Sequence, residues 1–373
     1  MTHYCFVTGL YSRYDTLMFE RQGKSLVEAG FKVTYIVCDN GSDEVRDGIQ
    51  IISTGFKPQN RFDRFFKTEK VLASFVDRVQ ADIYQISDPE LIKFGARLKR
   101  KGYNIVFNLR EYYPDMILGK KYLPKLLRNY FAASYKHQFK KYFPKYDAIF
   151  TVTPEFIDIL KSEYGLDNAH LLTNYPIPDL SFSLSEEEYM TRQNTLLYEG
   201  TIYSISRQEK VFDALSEIPD LHYLLAGVIE EKYDAIKWHA YWPKVEFING
   251  FRKEQLKDFF SRATISNTLR DFGQLDGSLG VIKIFESMEA GIPVIFSDVP
   301  TYRSIVEKYN CGLCADPNNS DSIKNALLYL ITNKREAYKM GQNGRKAVLD
   351  EFNWNKQAEY FILIINKILN NKS

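Results

Sequence analysis

Short apolar runs alternate with amphipathic stretches along nearly the whole chain. Near the N-terminus, an apolar run at 4–8 ends at Gly9, a helical stretch capped by Asp15 ends at Gly30, and a second apolar run occupies 31–37. Strand, helix and strand in this order predict a βαβ unit, and such units are nearly always right-handed and parallel. The same pattern predicts further strands at 49–53, 83–86, 105–109, 148–152, 196–198, 223–226, 245–248, 263–266 and 293–296.

The alternation breaks at 177–194, where the sequence is polar, marked by prolines and without clear periodicity, as is typical of a linker. At 373 residues the chain is too long for one ordinary hydrophobic core. We therefore predict two doubly wound, Rossmann-like α/β domains at 1–176 and 195–353, followed by a terminal helix at 354–373. Ligands of such sheets bind at the carboxyl ends of the strands, so both domains are expected to face a central cleft.

The stretch at 277–298 combines a glycine-flanked loop, a short helix and a buried strand. The loop ends at Gly280, the helix occupies about 281–290, and Gly291 lies where a left-handed helix cap is expected. The apolar run at 292–296 follows at once. This order fits any doubly wound protein, so only the chemistry of its side chains can indicate a site.

Lys283 and Glu286 share one side of this helix, three residues apart. Free backbone N–H groups at the start of such a helix, beside Leu279 and Gly280, make an anion site. A carboxylate one turn further in can accept hydrogen bonds from sugar hydroxyls. A nucleotide sugar supplies both groups, whereas the alternative is an ordinary surface salt bridge between Lys283 and Glu286.

Net charge and cysteine usage exclude several classes of protein. The formal net charge of +2 gives no argument for wholesale nucleic-acid binding. No apolar run approaches the roughly 20 residues of a transmembrane helix, and the N-terminus lacks a secretory signal, so we expect a cytoplasmic protein. Cys311 and Cys314 form a CxxC without a second pair or a neighbouring histidine. A zinc site would be short of ligands, and no metal site is predicted.

Five segments carry the motifs of one known family in the expected order. They are RYDTLMFERQGKSLVEAGFKVTYI at 13–36, QISDPELIKFGARLKRKGYNIVFNLREYYPDM at 85–116, YEGTIYSISRQEKVFDAL at 198–215, KIFESMEAGIPVI at 283–295 and FNWNKQAEYF at 352–361. Together they resemble the retaining nucleotide-sugar glycosyltransferases of the GT-B fold, in particular the large bacterial family that builds capsule and lipopolysaccharide glycans. The resemblance implies an N-terminal acceptor-binding domain, a C-terminal nucleotide-sugar-binding domain and a terminal helix that packs back on the N-terminal domain.

The resemblance assigns roles to residues of the second domain. Glu286 would hold the ribose hydroxyls, and Arg207, after the loop at Gly200, would clamp the diphosphate with help from Lys210. Arginine suits this role because its planar fork grips two phosphate oxygens and keeps its charge. Without the family, Glu286 and Arg207 would be interpreted as exposed helix residues. The expected donor-binding set is completed by Gly9, Gly200, Leu279, Gly280 and Lys283.

Two positions depart from the family pattern. Ser278 stands where an acidic residue often lies eight positions before the ribose-binding glutamate, although Asp271 and Asp276 are near enough in sequence to substitute. Arg110 replaces the usual histidine before Glu111, and a guanidinium cannot act as a general base at neutral pH. The chemistry is still expected, because in retaining enzymes of this type the leaving phosphate itself helps the incoming hydroxyl. The expected catalytic set is Arg207, Lys210, Arg110, Glu111 and Ser278.

These roles imply transfer of a hexose or N-acetylhexosamine from a nucleotide diphosphate, with UDP favoured, to a lipid-linked glycan with retention of configuration. The implied pathway is cell-surface polysaccharide biosynthesis. No cofactor and no metal requirement are expected, because the sequence offers no Asp-x-Asp motif or histidine cluster for a divalent ion. Two alternatives stay open: a GT-B-fold isomerase or hydrolase acting on the nucleotide sugar, and a non-catalytic member that binds glycan or nucleotide sugar.

Residues 116–145 carry eight basic residues and no acidic one. Aromatic residues and leucines are interleaved with these cations, as expected for an amphipathic segment on an anionic bilayer. The alternative is a helix that packs its aromatic face on its own domain. Because a lipid-linked acceptor meets its enzyme at the membrane, we predict peripheral binding to the inner face of the membrane. Pro124 and Pro144 would bound the helix, and 61–70 would extend its basic and aromatic face.

Overall fold

The computed structural model describes residues 1–120, 122–179, 183–272 and 282–370. The chain divides into two compact units. The N-terminal unit comprises Met1–Asn174 and Trp354–Ser373, and the C-terminal unit comprises Tyr175–Asn353. Each unit has its own β-sheet and its own hydrophobic core.

An eight-stranded sheet forms the centre of the N-terminal unit within the residues described. Its strands are β1 (His3–Thr8), β2 (Lys32–Val37), β3 (Glu44–Arg46), β4 (Ile49–Ser53), β5 (Ile83–Ile86), β6 (Asn104–Leu109), β7 (Ala148–Thr151) and β8 (Ala169–Leu171). Their spatial order is β3-β4-β2-β1-β5-β6-β7-β8, and neighbouring strands are parallel apart from β3 and β4. The inner strands β1, β5 and β6 are buried along their whole length, which explains their apolar sequences.

Helices connect these strands. They are α1 (Lys24–Glu28), α2 (Arg61–Phe66), α3 (Thr68–Val79), α4 (Ile92–Arg100), α5 (Tyr113–Leu118), α6 (Lys125–Tyr142) and α7 (Pro154–Tyr164), with 3-10 turns at Pro89–Leu91 and Phe143–Lys145. A π-helical turn at Met18–Gly23 precedes α1, where the sequence predicts one continuous helix. Asp15 caps this turn as predicted, since its Oδ1 accepts hydrogen bonds from the N–H groups of Leu17 and Met18 at 3.1 and 2.8 Å.

The C-terminal unit contains a second, all-parallel sheet. Its described strands are β9 (Thr195–Glu199), β10 (His222–Gly227), β11 (Val245–Asn249), β12 (Ile265–Asn267), β13 (Val294–Ser297) and β14 (Gly312–Ala315), in the order β11-β10-β9-β12-β13-β14. Its helices are α8 (Glu186–Thr191), α9 (Gln208–Ser216), α10 (Leu256–Arg262), α11 (Ile282–Glu289), α12 (Pro300–Tyr309), α13 (Ser320–Thr332) and α14 (Lys334–Asp350), with 3-10 turns at Ser204–Ser206, Glu231–Trp238, Trp242–Lys244 and Lys253–Gln255. Two Rossmann-like sheets with helices confirm the predicted fold class.

The strands that the sequence pattern missed, β3, β8 and β14, lie at the edges of their sheets. An edge strand has a neighbour on one side only, so burial does not demand the apolar run that marks an inner strand. In β3, the residues Glu44 and Arg46 flank a single valine. The edge position therefore explains the omission of β3, whereas β8 and β14 are only three and four residues long.

The segment at 177–194, predicted as a linker, contains the helix α8 (Glu186–Thr191). Ser185 caps α8 by accepting a hydrogen bond from the N–H of Glu188 at 3.1 Å. Tyr189 is fully buried, and its hydroxyl donates to the carbonyl of Thr264 at 2.8 Å. This part of the segment therefore belongs to the C-terminal unit, in which α8 packs against α14.

The terminal helix α15 (Trp354–Asn370) packs on the N-terminal unit, as predicted. The indole Nε1 of Trp354 donates to Ser25 Oγ at 3.0 Å. Phe361 is fully buried, and its ring centroid lies 5.2 Å from that of Phe150 and 6.2 Å from that of Tyr4. Burial of this apolar side against the sheet is what fastens the C-terminus to the first unit.

Candidate active site

A cavity of about 260 Å³ opens at the carboxyl end of β9 in the C-terminal unit. Carboxyl ends of inner strands are where parallel α/β sheets bind ligands. The cavity lining combines the end of β9, the loop that follows it, the residues after β12 and one side of α11. Of the residues predicted to bind the donor, Gly200, Lys283 and Glu286 all lie in this lining.

Helix α11 orients this lining. Phe285 and Met288 are buried in the core of the C-terminal unit, whereas Lys283 and Glu286 are half-buried at the cavity. Gly291 ends the helix with φ +75°, the left-handed cap that the sequence predicts. The 3.6-residue period of the helix thus places the apolar side in the core and the lysine and glutamate together at the cavity.

The ammonium group of Lys283 is held by an aromatic ring. Its Nζ lies 3.7 Å from the ring centroid of Tyr198, which is a cation–π contact. Tyr198 belongs to β9 and is itself buried. The contact fixes a positive charge at the cavity beside the carboxyl group of Glu286, and such a pair suits a ligand that carries both phosphates and hydroxyls.

Arg207 has an unusual backbone conformation just outside this lining. It follows the 3-10 turn at Ser204–Ser206, caps α9 and has φ +47°, which is strained for a residue with a side chain. Its Nη2 and Nε donate to Oδ2 of Asp271 at 2.5 and 3.1 Å. Lys210 lies one turn along α9, and its Nζ is 3.6 Å from Oδ2 of Asp213. Ser206 lines the cavity, and Arg207 is the next residue in the sequence.

Several predicted positions lie outside the described residues. These are Ser278, Leu279 and Gly280, together with Asp276, one of the two acidic residues considered as a substitute for Ser278. The other, Asp271, is described, and its carboxylate is bonded to Arg207. The roles assigned to Ser278, Leu279 and Gly280 therefore stay predictions.

A second cavity, of about 590 Å³, lies in the N-terminal unit after β1 and β2. Gly9 lines it, and a Cβ at this position would come within 2.2 Å of Thr68 Cγ2, so only glycine fits. The Gly9 N–H donates to Oδ2 of Asp88 at 2.5 Å, and the Thr8 hydroxyl donates to Oδ1 at 2.7 Å. Gly9 lies in the N-terminal unit, whereas the other described residues of the predicted donor set lie in the C-terminal unit.

Asp88 is a buried carboxyl that the sequence analysis did not single out. It has no exposed surface, and burial, reinforced by the charge of Glu90, raises its pKa to about 7. The signal in the sequence is an Asp-Pro pair directly after the apolar run of β5. Its hydrogen bonds shape the loop after β1, which lines the second cavity.

Arg110, predicted as a catalytic residue, forms a bidentate ion pair with Asp15. The two bonds measure 2.9 Å from Nη1 and 2.5 Å from Nη2, and the guanidinium lies 3.9 Å from the ring centroid of Tyr11. Burial opposes ionisation of Asp15, but the hydrogen bonds and charge of Arg110 keep the pKa of that carboxyl below its ordinary value. Glu111 is exposed beside this pair. Arg110 thus supports the helix cap and the cavity wall.

The described ranges contain no cluster of three or more His, Cys, Asp and Glu residues that could hold a metal ion. Burial raises the pKa of Cys311 to about 12 and that of Cys314 to about 11. A thiol with so high a pKa is mostly protonated at neutral pH and is a poor metal ligand or nucleophile.

Helices α2 and α6 expose large apolar side chains. Arg61 of α2 contacts Tyr122, which precedes α6: its Nη2 donates to the Tyr122 hydroxyl at 2.6 Å and its guanidinium lies 5.4 Å from the Tyr122 ring centroid. We call the following set the aromatic patch: Phe62, Phe65, Phe66, Tyr122, Leu126 and Tyr130. Its members are between 47% and 83% exposed. A grouping of this kind is uncommon on a surface that only meets water.

The second half of α6 corrects the predicted membrane face. Phe139 and Phe143 were expected on that face, but both are fully buried and stack with ring centroids 4.4 Å apart in the core. Among the described residues of the segment at 116–145, the exposed large apolar side chains all lie between Leu118 and Phe131. The helix itself begins and ends near Pro124 and Pro144, as predicted. No described helix is both long and apolar enough to cross a membrane.

Two family descriptions account for most of the chain. Residues 185–347 match the glycosyl transferases group 1 model, and residues 19–180 match the glycosyltransferase family 4 model. With two Rossmann-like sheets and a cavity at the carboxyl end of β9, these matches define a glycosyltransferase of the GT-B class. The C-terminal unit is thus similar to the group 1 glycosyltransferases, and the N-terminal unit is similar to glycosyltransferase family 4. No curated protein gives a significant match to the sequence.

Solved structures share the fold over nearly the whole chain. Sucrose-phosphate synthase from Thermosynechococcus elongatus matches with TM-score 0.78 and 14% identity, covering 100% of both chains. HepE of Anabaena, solved in complex with UDP and glucose, matches with TM-score 0.70 and 14% identity, covering 98% of this chain and 100% of that chain. WaaG, a glycosyltransferase involved in lipopolysaccharide biosynthesis, matches with TM-score 0.69 and 15% identity, covering 96% of this chain and 98% of that chain. At such identities the likeness shows the fold alone.

Proposed function

We propose that the protein transfers a hexose or N-acetylhexosamine from a UDP-sugar to a lipid-linked glycan, with retention of the anomeric configuration, in cell-surface polysaccharide biosynthesis. The observation that carries the donor half is the cavity at β9, where Gly200, Lys283 and Glu286 come together. A cation and a carboxyl group side by side match the phosphates and hydroxyls of a nucleotide sugar. The structures of HepE in complex with UDP and glucose and with UDP-glucose support UDP as the nucleotide.

In this proposal each side chain has a separate task. Glu286 accepts hydrogen bonds from the ribose, and Lys283 faces the anionic part of the donor. Arg207 and Lys210 neutralise the diphosphate, for which Arg207 exchanges Asp271 for phosphate oxygens. Ser278 contacts the donor sugar, whereas Arg110 and Glu111 act from the N-terminal unit, Arg110 through its pairing with Asp15.

The proposed reaction needs no protein base. The acceptor hydroxyl oxygen bonds to the anomeric carbon on the face that the diphosphate leaves, and the bond from that carbon to the diphosphate oxygen breaks. The acceptor proton passes to the departing phosphate. Arg207 stabilises the charge that develops on that phosphate, which is the main contribution a fixed cation can make. The positive charges of Arg207 and Lys283 take the place that a divalent ion has in metal-dependent transferases.

The proposed acceptor is lipid-linked because the aromatic patch lies among cations. Lys120, Lys125 and Arg128 occur in the same stretch as Tyr122, Leu126 and Tyr130. Apolar rings that enter the headgroup region and cations that pair with anionic lipids strengthen each other. We therefore propose peripheral binding of the N-terminal unit to an anionic bilayer on the cytoplasmic side, and WaaG, described as acting in lipopolysaccharide biosynthesis, supports this class of acceptor.

A thermal-shift screen of UDP-, GDP-, ADP- and dTDP-sugars tests the donor. A ligand at 100 times its dissociation constant stabilises the folded protein by about 2.7 kcal/mol, so the correct nucleotide should raise Tm and the others should not. Glu286→Gln should remove the shift, and Glu307→Gln, which changes an exposed glutamate on α12 of the same unit, should keep it. Equal shifts in all three proteins, or none with any UDP-sugar, would contradict the proposed donor.

A further inference from the structure

Glu199, the last residue of β9, is a buried carboxyl at the donor cavity without an assigned role. Only 6% of its surface is exposed, and its side chain lines the cavity with Lys283 and Glu286. In the sheet Glu199 pairs with Ala226 of β10, whereas the pairing of β9 with β12 ends at Leu197, so Glu199 lies at the carboxyl end of the strand, where the cavity opens. The Glu199 carboxyl forms no hydrogen bond with any residue that the structure describes, although buried polar groups are normally bonded.

The charges around Glu199 determine its protonation. Lys283 and Glu286 reach the cavity from α11, Arg270 reaches it from the segment after β12, and Tyr198 and Tyr203 line it from β9 and its loop. Burial raises the pKa of Glu199 to about 8; the charge of Lys283 lowers it, and that of Glu286 raises it. At neutral pH, Glu199 is therefore mostly protonated. A protonated carboxyl has one O–H donor and keeps acceptor capacity, whereas an ionised carboxylate only accepts.

We propose that Glu199 and Glu286 together bind the vicinal hydroxyl groups of the donor ribose, with Glu199 as a specificity-determining residue. This rests on the proposed function, which supplies the nucleotide sugar. Glu286 accepts a hydrogen bond from one hydroxyl. Glu199 donates to the oxygen of the neighbouring hydroxyl, so that both partners of the diol are satisfied. A second ionised carboxylate at this point would repel both Glu286 and the diphosphate, which is why the neutral form of Glu199 is the one that binds.

Calorimetric titration of the full-length protein with UDP tests this at pH 7. Glu199→Leu should weaken UDP binding at least tenfold, because the hydroxyl loses its partner. Glu199→Gln, which keeps a neutral donor of similar shape, should stay within about threefold of wild type. Glu289→Gln is the matched control, since Glu289 is a buried carboxyl of α11, the helix that carries Glu286, and it accepts a hydrogen bond from the N–H of Asp179 and does not line the cavity. It should bind UDP as wild type does.

The pH dependence separates this role from a purely structural one. Deprotonation removes the binding-competent form, so the apparent dissociation constant of wild type should rise about tenfold between pH 7 and pH 9. Glu199→Gln should show no such rise. The preference for UDP over 2′-deoxy-UDP should also shrink at least threefold in Glu199→Leu. Because 2′-deoxy-UDP lacks one of the two vicinal hydroxyls, this comparison measures the contribution of the diol to binding.

The experiments distinguish failure of the proposed function from failure of the role of Glu199. If wild-type protein binds no nucleoside diphosphate, the proposed function fails and the role of Glu199 falls with it. If wild type binds UDP but Glu199→Leu binds equally well, only the role of Glu199 is overturned. Should Glu199→Leu not fold, wild type and Glu199→Gln still decide, because a wild-type affinity that is unchanged from pH 7 to pH 9 also overturns it.

Discussion

Arg207 donates two hydrogen bonds to the carboxylate of Asp271, from Nη2 at 2.5 Å and from Nε at 3.1 Å. The pair closes the loop before α9 onto the segment after β12, and the N–H of Asp271 completes the link by donating to the carbonyl of Ile205 at 2.7 Å. Arg207 adopts its left-handed backbone within this arrangement. Strain that is held in place beside a cavity is typical of functional positions, because surrounding contacts must maintain it.

Replacement of Arg207 should affect turnover more than folding. Arg207→Ala should lower kcat by about 100-fold or more, because a preorganised cation that stabilises a leaving phosphate contributes on this scale. The kcat of Arg207→Lys should lie between those of wild type and Arg207→Ala, because lysine keeps the positive charge but lacks the planar guanidinium. Steady-state kinetics with Arg335→Ala, an exposed arginine of α14, provides the control. Full activity in Arg207→Ala would remove this residue from the reaction.

Glu286→Ala should weaken donor use while leaving the fold intact. The Glu286 carboxylate accepts hydrogen bonds from the ribose, and its loss should cost on the order of 3 kcal/mol of transition-state binding. This corresponds to a fall in kcat/KM of about 150-fold. The side chain is half-buried at a cavity, so its removal leaves little packing defect. Glu307→Ala should behave as wild type, and circular dichroism should show the same melting curve for all three proteins. Near-normal turnover by a folded Glu286→Ala protein would contradict the assignment.

Transfer should continue without a divalent ion. Arg207 and Lys283 supply positive charge for the diphosphate, and the described residues contain no acidic or histidine cluster that would hold a metal. Dialysis against EDTA should therefore leave the rate of sugar transfer unchanged within about twofold. Activity that disappears with EDTA and returns with manganese would show that this expectation is wrong.

The aromatic patch and its cations should bind anionic liposomes in a salt-sensitive manner. Phe66→Ser combined with Leu126→Ser should reduce co-sedimentation at every salt concentration, because buried apolar area is lost. Exchange of Lys120, Lys125, Lys140 and Lys141 for glutamate should abolish binding at low salt, since each cation near such a surface contributes about 1 kcal/mol. UDP binding should persist in both variants.

The control for this experiment is the same charge change elsewhere. Lys232, Lys237, Lys244 and Lys253 are exposed lysines of the C-terminal unit, and their exchange for glutamate should leave liposome binding intact. Wild-type protein that stays in the supernatant with anionic liposomes at low salt would defeat the membrane proposal and favour a soluble acceptor.

The ion pair between Arg110 and Asp15 should contribute to stability in a pH-dependent way. Arg110→Ala should lower the free energy of unfolding by about 3 kcal/mol at pH 7, because it leaves the largely buried Asp15 carboxylate without its cation. The folded-state pKa of Asp15 is lowered, so its contribution is present above the unfolded pKa and is lost as pH falls through the folded one. The difference between the two proteins should therefore shrink below about pH 4. Urea denaturation at pH 7 and pH 3 measures it, and equal stability at pH 7 would contradict the pairing.

The sequence by itself determined the features that depend on neighbouring residues. Helical periodicity placed Lys283 and Glu286 on one side of α11 and Phe285 on the other, because a helix repeats every 3.6 residues whatever surrounds it. The cap at Gly291 and the helix boundaries at Pro124 and Pro144 follow from local backbone chemistry in the same way. Inner strands could also be predicted from the sequence, because a strand that is buried on both faces requires an apolar run.

Only the tertiary structure decided the features that join distant parts of the chain. Arg110 meets Asp15 across 95 positions of sequence, and no local pattern records that pairing. Phe139 and Leu126 lie on the same helix, yet one is fully buried and the other is 83% exposed, because the core covers only the second half of α6. Glu199 ends an apolar strand like any other strand terminus. Its carboxyl lines the donor cavity together with Lys283 and Glu286 only because the fold brings α11, more than 80 residues later in the sequence, to the same cavity.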